Sequence, residues 1–155
     1  MNNRRKMDSN EFKPAARKEK ATSGIIGNDD LVKAILDAAW SKNAFATKVY
    51  DVTGVVDYTD MFVILSGRSD RHVMAIAEAV EGQLKEQGIR AAGVEGRKSG
   101  AWVLLDFGNV IVHVFEKHKR SYYDLDRLWL EAKTIDVPEP EWVLDFARME
   151  SSQFD

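Results

Sequence analysis

Two apolar runs joined by a two-residue turn constrain the fold of this chain more than any other feature. Residues 101–107 and 110–115 flank Gly108-Asn109. Glycine at the first central position suits a two-residue hairpin turn, because its backbone twist matches that of the flanking strands. If the hairpin closes there, Phe107 faces Val110, Asp106 opposes Ile111, Leu104 opposes His113 and Trp102 opposes Phe115. Directly opposed residues share a face of the sheet. One face is then Ala101, Val103, Leu105, Phe107, Val110, Val112 and Val114, which is wholly apolar and must be core. The other face is Trp102, Leu104, Asp106, Ile111, His113 and Phe115. A register slip of one residue would exchange the faces and put a charge in the core. Large aromatics beside charge are the composition of a protein interface, so we read this mixed face as a docking surface. The alternative is burial within the monomer beneath the aromatic helix expected from Tyr122 to Trp129, which follows a basic connector. The two readings differ over Trp102→Ala: on the first it weakens partner binding and spares the fold, on the second it costs the fold itself.

The rest of the chain supplies the layers for this hairpin. Leu31, Ala34, Ile35, Ala38 and Ala39 recur at helical spacing, after Asn28-Asp29-Asp30, which can cap the helix and place negative charge at its N-terminus. Strands follow at about Ala46–Val52 and Asp60–Ser66, the second apolar enough to be buried on both faces. Ser69 caps a helix whose apolar face is Val73, Ile76, Ala77, Val80 and Leu84. Gly88 closes it. Ile89–Glu95 reads as another strand, and the loop Gly96–Gly100 as a basic, mobile one beside the mixed face. Pro138 and Pro140 precede a short amphipathic helix, Glu141–Met149. The expected fold class is α/β, a mixed sheet of about five strands with packed helices; Gly67-Arg68-Ser69, opening a helix after a buried strand, resembles the nucleotidyltransferase fold, so the expectation is nucleotidyltransferase-like without a catalytic site. The expected organisation is a disordered basic arm over 1–27, one domain over 28–136 and an acidic extension over 137–155.

Charge points to the kind of partner. Net charge is −3. Up to Asn28 there are seven basic residues and three acids, which leaves the arm at +4 and the remainder at −7. An acidic, aromatic surface suits a basic protein better than bare RNA. Direct RNA contact through Lys117, Lys119 and Arg120, with Tyr122 and Tyr123 for stacking, is a secondary expectation. The chain has no cysteine, which excludes disulfides and thiol chemistry. No apolar run approaches the roughly 20 residues that span a bilayer, and with the first 20 residues polar we expect no secretory signal. We therefore expect no membrane association.

The candidate catalytic groupings are weak. Asp106 and His113 could hydrogen-bond diagonally across the hairpin, but no nucleophile accompanies them. The three histidines lack metal-ligand spacing. Gly67-Arg68-Ser69 after a buried strand resembles the opening of a nucleotidyltransferase site, whose chemistry needs carboxylates converging on Mg²⁺. No Asp-x-Asp pair follows on a strand. No cofactor and no metal are expected, with a nucleotidyltransferase-like enzyme or nucleotide-binding protein as the alternative.

Four stretches carry a family resemblance: residues 59–67, 71–77, 94–96 and above all 102–115, continued by Arg120-Ser121-Tyr122-Tyr123-Asp124-Leu125-Asp126-Arg127-Leu128-Trp129. In order and spacing, from about Leu31 to Trp129, they resemble the ribosomal silencing factors, also called Iojap-like proteins. Asp126 stands where a glutamate is usual. The resemblance implies a translation repressor that binds the large ribosomal subunit on its fourteenth protein and blocks joining of the small subunit when nutrients are scarce. It also implies a homodimer when free, no enzymatic activity, and a cytoplasmic location, or an organellar one in a eukaryote. Carried over, Trp102, Asp106, Tyr122, Tyr123 and Leu125 would contact the ribosomal protein, with His113 and Arg120 in support.

Overall fold

A computed structural model describes residues 26–152. The expected arm therefore lies outside the described residues except for its last two. The element order is α1 (Asn28–Trp40), β1 (Phe45–Asp51), β2 (Met61–Gly67), α2 (Asp70–Glu86), β3 (Gly93–Glu95), β4 (Trp102–Asp106), β5 (Val110–Glu116), α3 (Lys117–Tyr123), a 3₁₀ turn (Leu125–Trp129), β6 (Lys133–Ile135) and α4 (Glu141–Ser152). The strands form one six-stranded sheet in the order β3-β4-β5-β2-β1-β6. Among these six strands only β2 and β5 pair in parallel; the other strand pairings are antiparallel.

The α/β class stands, with a sixth strand added. β6 is three residues long and carries little of the apolar alternation that marks a strand in sequence. β3 is also shorter than expected. Only Gly93–Glu95 pairs with β4, while Ile89 is buried ahead of the strand.

The hairpin has the register derived above: Trp102 faces Phe115, Leu104 faces His113 and Asp106 faces Ile111. Phe107 N–H donates to the Val110 carbonyl at 2.9 Å, and Gly108 takes φ +88°. Side chains alternate, so the sheet separates two cores. On one side, Val103, Leu105, Phe107, Val110, Val112 and Val114 pack with α1 and α2. From α2 come Val73, Ile76, Ala77, Val80 and Leu84, the five positions its periodicity marks. Ser69 Oγ accepts from His72 N–H at 3.1 Å, and Gly88 takes φ +84° just past the helix end. Helix α1 starts differently from expectation. Gly27 is its N-cap, and Asn28 instead donates to Asp60 Oδ2 at 3.1 Å.

The second core lies on the opposite face. Trp102, Leu104, Ile111 and Phe115 meet Tyr50, Phe62 and Ile64 from the central strands, closed over by Leu125, Trp129 and Ala132. The reading of the mixed face as a solvent-exposed interface is therefore corrected: it is covered within the monomer. Its composition did not separate these outcomes, because interface cores and protein interiors share aromatic-rich packing.

Candidate partner-binding surface

The cover over the second core is built from α3 and the 3₁₀ turn. Glu116 caps α3, its carboxylate accepting from His118 and Lys119 N–H at 3.0 Å each. The stretch expected as a basic connector is thus helical, and the aromatic helix expected over 122–129 is interrupted. The break is Asp124, held at φ +53°. That left-handed conformation is uncommon outside glycine, asparagine and aspartate. It turns the chain so that Leu125 and Trp129 point into the core while Tyr122, Leu128 and Leu130 stay outside.

Arg120 pins this cover to the sheet. Its Nε and Nη2 donate to Asp126 Oδ1 and Oδ2 at 3.2 and 2.9 Å, a two-point pairing. Its Nη1 donates to Ser66 Oγ at 2.9 Å and to the Ala46 carbonyl. Tyr50 Oη donates to Asp126 Oδ2 at 3.1 Å. Burial pushes the Asp126 carboxyl up, but the Arg120 hydrogen bonds and charge, with the Tyr50 hydroxyl, outweigh it and hold it below the usual carboxylate range. Burial, helped by the Asp126 charge, raises Tyr50 to about 12. The aspartate at position 126, where the resemblance leads one to expect glutamate, still reaches both partners.

Beneath the cover, the predicted Asp106–His113 hydrogen bond is replaced by two others. Trp102 Nε1 donates to His113 Nδ1 at 3.1 Å, and Asp106 Oδ1 accepts from Gly108 N–H at 2.8 Å. The aspartate therefore serves its own turn. Because Nδ1 accepts, the neutral imidazole carries its proton on Nε2, where no hydrogen-bond partner lies. Burial drives His113 down to about 3. A histidine held neutral in this way is a packing group at ordinary pH.

The seven candidate residues thus divide. Trp102, Asp106, His113 and Leu125 are buried, and Arg120 is mostly so. Tyr123 is partly covered, its ring 4.9 Å from that of Trp102. Tyr122 is 71% exposed, with the Lys119 ammonium 5.9 Å from its ring centre. Two exposed residues were missed from sequence: Leu128, and Leu130 at 77% exposure. Their signal was present, since two leucines bracket Trp129, but helical periodicity assigns such residues to core. Of the loop 96–100, Gly96 lies against the Trp102 backbone, while Gly100 lies against Asp70 and Met74 of α2 and Arg97 pairs with Glu81. Among the described residues, no group of three His, Asp or Glu is placed to hold a metal ion, and no helix is long and apolar enough to cross a membrane.

Comparisons with known proteins bear on the family and the fold. A family model described as "Ribosomal silencing factor during starvation" matches residues 26–153, a stretch that runs on through α4. The ribosomal silencing factor of Bacillus subtilis is 39% identical over 112 residues, covering 72% of this chain and 95% of that protein. Its counterpart from Halalkalibacterium halodurans is 36% identical over 112 residues, covering 72% and 96%. A crystal structure of a protein from Chromobacterium violaceum superposes with a TM-score of 0.66 at 30% identity, covering 75% of this chain and 98% of that one.

Proposed function

The chain belongs to the ribosomal silencing factor family, and we propose that it binds the large ribosomal subunit through that subunit's fourteenth protein, blocks joining of the small subunit and so represses translation when nutrients are limiting. It acts from the cytoplasm, and as a homodimer when free of the ribosome. The observation that carries this reading is the set of exposed apolar side chains on the cover segment, Tyr122, Leu128 and Leu130, with the acids Asp124, paired with Arg127, and Glu131 close to them in sequence. Exposed aromatic and leucine side chains next to acid suit a basic protein surface: the charge steers the encounter and the apolar groups supply the affinity. Burying one such side chain contributes about 1.5–3 kcal/mol. Tyr122 and Tyr123 make the contact. Trp102, Asp106, His113, Arg120 and Leu125 act from inside, by holding the cover in shape. Blocking of this kind is steric and needs no reacting group.

The test is cosedimentation with separated ribosomal subunits. The full chain is expected to travel with the large subunit and to lower the yield of joined ribosomes. Tyr122→Ala and Leu130→Asp should each weaken that association by about tenfold or more while the melting temperature holds. A wild-type chain that travels with neither subunit and leaves joining unchanged would refute the function. Loss of binding only in variants far from the cover would refute the surface.

A further inference from the structure

The inner face of α4 is Val143, Phe146, Ala147 and Glu150, a spacing of three and four that an apolar stripe would have. Its last member is a carboxylate. Glu150 is 5% exposed and lies in the last turn of its helix, where a negative charge opposes the helix dipole. Two local costs therefore fall on one residue. They are met by two cations, one for each oxygen. Lys117 Nζ lies 3.3 Å from Oε1, and Arg68 Nη1 lies 3.7 Å from Oε2.

Where these cations stand matters. Arg68 follows the last residue of β2, Gly67, and Lys117 follows the last residue of β5, Glu116. β2 and β5 are the parallel pair, and Gly67 and Glu116 are partners in their register. The crevice beyond the carboxyl ends of parallel strands is where α/β sheets take ligands. A cleft of about 460 Å³ opens beside Lys117, lined by Phe45, Lys117, His118, Glu139, Ala147 and Glu150, and Arg68 reaches Glu150 from outside that lining. Of the other charges around it, Glu139 is held by Thr47 N–H at 2.8 Å and His118 faces Glu116 at 2.8 Å. Glu150 is thus the carboxylate that bridges the two strand-end cations.

We propose that this strand-end cleft is a second binding site, for the phosphate group of a small phosphorylated molecule, and that Glu150 on α4 fills the phosphate position as a built-in competitor. A phosphate presents three oxygens and up to two charges to the same cations, against the single charge of a carboxylate that also opposes the dipole of its own helix. Its entry displaces Glu150 and loosens α4, which Phe146 otherwise holds against Phe45 and His72 at ring separations of 5.9 and 5.5 Å.

Calorimetry on the full chain tests this with inorganic phosphate and with ATP in metal-free buffer. Glu150→Gln is expected to bind phosphate at least tenfold more tightly than wild type, one per chain, and Lys117→Ala in the same background is expected to abolish the gain. Tighter binding of ATP than of phosphate identifies a nucleotide as the ligand; equal binding identifies the phosphate group alone. Glu150→Gln that binds no better than wild type overturns the proposal, as does a gain that survives Lys117→Ala. Should Glu150→Gln unfold, wild type decides by hydrogen exchange: phosphate, but not chloride at equal ionic strength, is expected to speed exchange of α4 amides several-fold. Equal effects overturn it, and so does retention of a short RNA without response to phosphate or ATP.

Discussion

Replacing Trp102 with alanine separates the two readings of the hairpin's mixed face. The indole is 5% exposed, and its ring centre lies 4.7 Å from Phe115, 4.9 Å from Tyr123 and 5.9 Å from His113. Truncating a buried aromatic to alanine costs about 3–5 kcal/mol. The substitution also strips the donor from His113 Nδ1, and an unpaired buried acceptor adds about 1–3 kcal/mol. Against a typical domain stability of about 5–15 kcal/mol, the sum removes a large share. A domain of this size should lose roughly 10 °C or more in melting temperature. The assay is thermal and urea unfolding of the full chain, with Trp102→Phe alongside. Phenylalanine keeps most of the packing and loses the donor, so its cost should be about 1–3 kcal/mol. Tyr122→Ala, at an exposed position, should fall within about 0.5 kcal/mol of wild type. If Trp102→Ala melts with wild type and binding alone is lost, the indole is a surface contact and the second core is misassigned.

Acid should weaken the fold from near neutrality. His113 titrates near 3 when folded and near 6.5 when unfolded. Between those values the unfolded chain binds the extra proton, so stability is full above about 6.5 and is lost as pH falls, by about 1.4 kcal/mol per pH unit. His72, lowered by burial, adds to the loss in the same direction. His113→Gln should flatten the stability-versus-pH slope between 6.5 and 4 by one proton, measured by urea unfolding at a series of pH values. Arg120→Lys keeps a charge but not the two-point pairing with Asp126, and should cost about 1.5–3 kcal/mol in the same assay. Gly96→Ala places a methyl group against the Trp102 carbonyl at φ +91°, so its loss should exceed the roughly 1 kcal/mol of an ordinary strained position. A Gly96→Ala protein that melts with wild type would mean the loop has room to move.

The sheet was largely legible in the sequence because its signals are local. Gly108 sets the turn, the turn sets the register, and alternation then assigns Val103 and Trp102 to opposite faces. Helix α2 was legible for the same reason, through Ser69, its five apolar positions and Gly88. That the Tyr122–Trp129 segment covers Trp102 stood only as the alternative reading, which the sequence could not decide. That depends on where the chain goes after Phe115, and the direction is decided by a left-handed Asp124 and by Arg120 reaching Asp126, Ser66 and Ala46 together. Aspartate tolerates that backbone conformation without requiring it, and a bond between residues 120 and 66 leaves no trace in the periodicity of either. β6 escaped because three residues, two of them exposed, are too few to show alternation. Tyr122 was found because it was conspicuous; Leu130 was missed because leucine ordinarily means interior.

The sheet ends on both sides in three-residue strands, β3 and β6, and each carries a charge, Glu95 and Lys133. Short, charged edges resist adding another strand, since an incoming chain would gain few ladder hydrogen bonds. Self-association by sheet extension is thereby disfavoured, and with it the commonest route from a β-rich fold to fibrils. The homodimer proposed above would then be built from side chains on the helices and cover. Such a contact can be exchanged for a different partner without breaking a continuous sheet.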